Sequence, residues 1–180
     1  MSQVMIPTAC SATGWILFPA GGTALSHIDE GLPPDDTDYI YKAAAIGGTV
    51  TSVITFSTAP TNTPTTLTVT GEVRSKRGNV NPDSRISAIM EEYRIVEGEP
   101  AWVEIGQIKS TVLTNSFVTY TMDGDIESWA TYTSIRITVT WTNNDPGLAD
   151  NEYLSNSVIE TADAASGVSV VYDPIFFAGD

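Results

Sequence analysis

Residues 134–142 read SIRITVTWT, with Ile135, Ile137, Val139 and Trp141 at alternate positions and Arg136, Thr138 and Thr140 between them. Successive side chains of a strand point to opposite faces, so this period of two gives an extended segment one apolar and one polar face. A helix would scatter the same four apolar residues around its circumference. The stretch is therefore expected to be a strand that covers a core with one side only. TLTVTGEVRSK at 66–76 repeats the pattern, with Leu67, Val69, Gly71 and Val73 on one side and Thr66, Thr68, Thr70 and Glu72 on the other.

Working outward, the same reading predicts strands at 14–18, 39–44, 49–57, 86–96, 101–108, 117–122 and 168–176. Turn-forming sequences separate them: PTNTPT at 60–65, RGNVNPDS at 77–84, EGEP at 97–100 and NNDPGLADNE at 143–152. Residues 85–95 also have helical spacing in Ile86, Ile89 and Tyr93, with Glu91 and Glu92 favouring a helix. A strand is preferred there because it pairs with the AWVEIGQI run across the EGEP turn. Many short strands without intervening helices predict an all-β protein, a β-sandwich of jelly-roll type with an extended N-terminal segment. Residues 1–13 read as an N-terminal arm and 14–180 as one sandwich domain. Within that domain, 28–41 is an acidic strap, and 143–166 is a long polar loop returning the last strand to the sheet.

Composition bounds the function. At 180 residues the chain suits one domain with one core. It is 42% hydrophobic and 17% charged, a globular balance, and no apolar run approaches the roughly 20 residues of a membrane span. The first residues, MSQVMIPTAC, have no basic region ahead of an apolar run, so no secretory address is expected. A net charge of -14, from 22 acidic and 8 basic residues, repels nucleic-acid phosphates and anionic membranes. Neither is expected as a partner. Cys10 and His27 are each the sole residue of their type. A disulfide, the usual zinc sets, and the Ser-His-Asp and Cys-His catalytic sets are thereby excluded. No cofactor and no enzymatic activity are expected.

The acidic stretch IDEGLPPDDTDYIY at 28–41 raises the question of a metal. Asp36 and Asp38 would share a face if extended, and MDGDIE at 122–127 offers Asp123, Asp125 and Glu127, but neither segment has the D-x-[DN]-x-[DN]-G calcium pattern. The favoured reading is structural: Asp29 and Asp36 turn the chain through bonds to local backbone N–H groups, Pro33 and Pro34 stiffen it, and Tyr39 and Ile40 begin a strand. Carboxylates paired for sugar hydrolysis have a separation that sequence does not show.

Three further features could contact a partner. Val4, Met5 and Ile6 are apolar residues in the arm, and Arg74, Lys76 and Arg77 gather positive charge at a strand end and loop. Among Trp15, Trp102, Trp129 and Trp141, Trp141 and Trp102 are read as inward-facing. Trp129, between strands, is the candidate for stacking on a sugar. His27 reads as a surface or turn residue and Cys10 as a small packing residue.

The N-terminal pattern GWILFPAGGTALSHIDEGLPPDDTDYIY, through Gly14, Trp15, Ile28, Asp29, Glu30, Asp35, Asp36, Thr37, Asp38, Tyr39 and Ile40, resembles a set of tailed-phage and prophage virion structural proteins. The match covers about the first quarter of the chain and implies no catalytic residue. It implies a virion component, either a capsid decoration (cement) protein on the outer capsid surface or a tail-associated β-sandwich, made in the host cytoplasm. Two expectations follow. The first is a homo-oligomeric, trimeric decoration protein that binds the major capsid protein or other virion subunits through two arms, residues 1–13 and 143–166. The alternative is a glycan-binding module of a phage tail or tail tip.

Overall fold

The structure is a computed structural model, and it describes residues 3–11, 13–28, 37–56, 64–76, 83–125, 134–147 and 149–163. Its strands are β1 (Gln3–Met5), β2 (Ala9–Ser11), β3 (Ile16–Phe18), β4 (Tyr39–Ala44), β5 (Thr49–Phe56), β6 (Pro64–Lys76), β7 (Ser84–Val96), β8 (Glu99–Val112), β9 (Val118–Asp125), β10 (Ser134–Asn143) and β11 (Asp150–Asp163). Among the described residues the helical structure is one 3-10 turn, Leu25–His27. One sheet runs β3-β4-β11-β6-β9 with β1 also on β11, and the other runs β2-β5-β10-β7-β8, with every pairing antiparallel. From β4 onward the chain crosses between sheets at every step except the β7–β8 hairpin. This alternation ties the two antiparallel sheets into one β-sandwich.

β10 shows why the fold forms. Its buried residues Ile135, Ile137, Val139 and Trp141 line the interior, and its intervening residues face outward, as the sequence predicts. Ile40, Ile54, Phe56, Leu67, Val69, Ile86, Met90 and Leu154 complete the layer between the sheets. Trp15 meets Trp141 edge to face, with ring centroids 5.2 Å apart, and donates its indole N–H to the Thr51 carbonyl at 3.3 Å. Gly14, with φ 76°, makes the left-handed turn that sends Trp15 inward. Gly71 is required for a different reason: a Cβ there would enter the ring of Tyr120, its cross-strand partner on β9.

The ambiguous 85–95 segment is strand. β7 pairs with β8 through a tight turn in which Glu97 and Gly98 have φ 53° and 89°, the positive values a two-residue hairpin turn of the primed kind requires.

Two expectations are corrected. The segment 143–166 is not a long loop, because its residues 150–163 form β11, a central strand that pairs with β4, β1 and β6. It reads as polar because its inward positions include Asp150 and Glu152, and because a register shift between Leu154 and Asn156 breaks the alternation. Residues 1–13 are not a free arm either, since β1 and β2 each add to a sheet and Met5 is buried in the core. The segment 168–176, read as the last strand, lies outside the described residues.

Candidate functional site

The outer face of the first sheet carries the site. In β4 Ile40 is buried, so Tyr39 and Tyr41 take the opposite face; in β6 Val73 and Ser75 are buried around Arg74; in β11 Tyr153, between the buried Glu152 and Leu154, is itself 7% exposed, because Tyr39, Tyr41, Phe117 and Arg74 cover its outward ring. Strand parity therefore turns Tyr39, Tyr41, Tyr153 and Arg74 outward together. Register then aligns them, because Tyr41 is opposite Tyr153 and Tyr153 is opposite Arg74. Phe117 precedes Val118, the partner of Val73, and extends this row, while Phe18 on β3 is opposite Tyr39.

The side chains make one cluster. Phe18 stacks on Tyr39 at 4.8 Å and Tyr41 on Tyr153 at 5.4 Å, with Tyr39 meeting Tyr153 edge-on at 5.3 Å. The guanidinium carbon of Arg74 lies 4.2 Å from the Tyr153 ring centroid, 4.3 Å from that of Phe117 and 5.0 Å from that of Tyr39. These are cation–π distances. Burial pushes the Tyr153 phenol pKa up, while the Arg74 charge pulls it down. Phe18 is 48% exposed on an edge strand and Ile16 beside it 53%. An antiparallel sheet with one solvated face is expected to show polar residues there, so this patch departs from the ordinary pattern.

The opposite sheet offers a contrast. Arg136 lies over Trp102, 4.3 Å from the ring centroid, but both its Nε and an Nη donate to the Glu91 carboxylate at 2.6 and 2.9 Å. Trp102, paired with Tyr93, lies on the outward face with Glu91 and Arg136, which corrects its reading as inward-facing. Trp141 is buried as expected.

The remaining expected site residues are dispersed. Val4 and Ile6 are exposed and Met5 is buried. Arg74 belongs to the aromatic cluster. Lys76 ends β6, and Arg77 lies outside the described residues, as do Asp36, Glu127 and Trp129. Asp38 stands just ahead of β4, while Asp123 and Asp125 are on β9, with β11 and β6 between those strands. Asp123 accepts a hydrogen bond from Thr68 Oγ1 at 2.6 Å. Among the described residues no three of His, Cys, Asp and Glu are grouped to hold a metal. His27 is buried in its turn, its ring nitrogens 2.9 Å from the carbonyl oxygens of Thr23 and Pro19, so the turn reading is right and the surface one is not. Cys10 packs on the core with its Sγ 3.6 Å from Ser52 Oγ, and burial pushes its thiol pKa up.

Sequence reasoning missed Phe18, Tyr41, Phe117 and Tyr153 as a group. The signal was there in part: Tyr39 and Tyr41 flank an inward Ile40, so an outward aromatic pair follows from parity alone.

Fold and site together define an antiparallel β-sandwich with an aromatic, arginine-centred outer face. Similar solved structures include TmCBM61 in complex with β-1,4-galactotriose (9% identity, 89% of this chain and 88% of that one, TM-score 0.45). The CBM22-1 xylan-binding domain of Paenibacillus barcinonensis Xyn10C is also similar (13% identity, 91% and 95%, TM-score 0.44). So is the enzymatically active domain of bacteriophage CBA120 tailspike protein 4 (10% identity, 83% and 19%, TM-score 0.43). No protein-family model and no curated protein matches the chain.

Proposed function

We propose that this protein is a glycan-binding β-sandwich module, and that the outer face of the β3-β4-β11-β6-β9 sheet is its binding surface. The observation that carries the reading is the cluster of Phe18, Tyr39, Tyr41, Phe117 and Tyr153 on a face that a sandwich ordinarily leaves polar. A sugar ring has apolar C–H faces and a rim of hydroxyls. Aromatic rings bearing phenol groups, with a guanidinium among them, suit both parts, whereas an aliphatic patch would suit only the first. Phe18 gives one ring face to Tyr39 and, on its edge strand, is open enough to give the other to a ligand.

The N-terminal resemblance to phage structural proteins supports a place for such a module on a virion tail or tail tip. The capsid-decoration reading retains that resemblance but loses its physical device, because both expected arms contribute strands to the sheets.

Phe18→Ala and Tyr41→Ala should each weaken retention on a bound oligosaccharide by roughly tenfold, the equivalent of one lost ring contact. The check is calorimetric titration with the best ligand from a glycan array, alongside melting curves showing that both variants remain folded. Affinity unchanged in both variants would overturn the assignment of this face.

A further inference from the structure

We infer that the site takes an acidic sugar, whose carboxylate binds the guanidinium of Arg74. The inference rests on the glycan-binding reading and adds the ligand's chemical class. It comes from comparing the two arginines that lie over aromatic rings on opposite faces of the sandwich. Arg136 over Trp102 has a carboxylate, Glu91, in a two-pronged pair. Arg74 is held by three rings, yet its Nε is buried without a hydrogen-bond partner, and none of the described carboxylates pairs with it.

Rings attract a guanidinium through their faces but supply no in-plane acceptors. The planar N–H groups of Arg74 therefore keep their capacity for a bidentate carboxylate. A ligand carboxylate would complete at Arg74 the arrangement that Glu91 completes at Arg136, while the sugar ring lies against Phe18, Tyr39 and Tyr41. Burial of the arginine among rings also strengthens the pair relative to one in water. The net charge of -14 opposes anions at long range, but that repulsion is screened beyond about 10 Å at 0.1 M salt, whereas the contact pair is short-range. The described residues flanking the row on this face include the uncharged Thr68, Thr70, Thr119 and Thr121, together with Asp123, whose carboxylate is bonded to Thr68.

The test titrates the full chain with oligogalacturonate, oligomannuronate and hyaluronan oligosaccharides, and with the same oligosaccharides after reduction of their carboxyl groups to primary alcohols. At least one acid form should bind, and its reduced form should bind roughly ten to a hundred times more weakly, as expected for loss of a charge-assisted pair. Arg74→Met should bind the acid and reduced forms alike, and Arg74→Lys should fall between. Because the reduced ligand probes the unaltered protein, the result does not depend on either variant folding. Equal binding of acid and reduced forms, still sensitive to Phe18→Ala, would overturn the acidic-sugar inference and leave the glycan reading standing. Binding of no acidic member, with neutral glycans on the array bound instead, would overturn it in the same way. Failure of every acidic and neutral glycan would overturn both.

Discussion

A chain lacking residues 1–13 should melt on the order of ten degrees below the full chain, or fail to fold. Met5 is 4% exposed and belongs to the core cluster. Removing a buried methionine side chain costs about 2–5 kcal/mol, and in a domain of this size each kcal/mol shifts the melting temperature by about 2–4 °C. The backbone adds to the loss. Gln3, Val4 and Met5 pair with Thr161, Glu160 and Ile159, and Ala9, Cys10 and Ser11 with Thr55, Ile54 and Val53. The deletion uncovers both edges, and unpaired strand edges invite association. Thermal melting and light scattering of the two chains provide the check. An unchanged melting temperature would mean that β1 and β2 contribute nothing to the sandwich.

Glu152→Gln should stabilise the protein at pH 8 and leave it nearly unchanged at pH 4. Glu152 is fully buried on β11, accepts a hydrogen bond from Ser84 Oγ at 2.8 Å, and lies near Asp150, to which the same hydroxyl is bonded at 3.0 Å. Burial chiefly pushes its pKa up to about 7; the Ser84 and Ser75 hydroxyls pull it down, and the charge of Asp150 raises it further. Its register partner Lys42 directs its ammonium to the Thr13 carbonyl at 2.9 Å.

Since the ordinary value is 4.5, the folded state holds this proton more tightly than the unfolded state does. The group's contribution is complete below about pH 4.5 and is lost as pH rises through about 7. The difference is on the order of 3 kcal/mol. Glutamine keeps an acceptor for Ser84 and never ionises, so the variant should escape the loss and melt about 6–12 °C higher at pH 8. Parallel melting-temperature profiles of the two proteins from pH 4 to 8 would contradict this account.

The N-terminal strands and β11 also show where the sequence could be read and where it could not. SIRITVTWT and TLTVTGEVRSK became β10 and β6 because their inward positions are apolar but for Gly71 and Ser75, so period and burial agree. In DNEYLSNSVIETAD the inward face begins with two carboxylates and is interrupted by a register shift, so a central strand looks like a loop. The arm was misread because QVM and ACS are too short to show a period, and their strands exist only through pairing with residues far along the chain. The site shared this fate. Tyr39 and Arg74 were noticed singly, but Tyr153 lay in the supposed loop, and the row from Tyr41 to Arg74 needs β11 between β4 and β6.

The most direct test of the glycan-binding account is an aromatic-ring NMR titration of the full chain with the oligosaccharide that binds best on an array. Both outer faces carry aromatic residues, so the face without the proposed site serves as an internal control. The account predicts that the ring resonances of Phe18, Tyr39, Tyr41 and Phe117 shift saturably while those of Tyr93 and Trp102 stay in place. Saturable shifts confined to Tyr93 and Trp102, or no ring shift with any oligosaccharide, would contradict it.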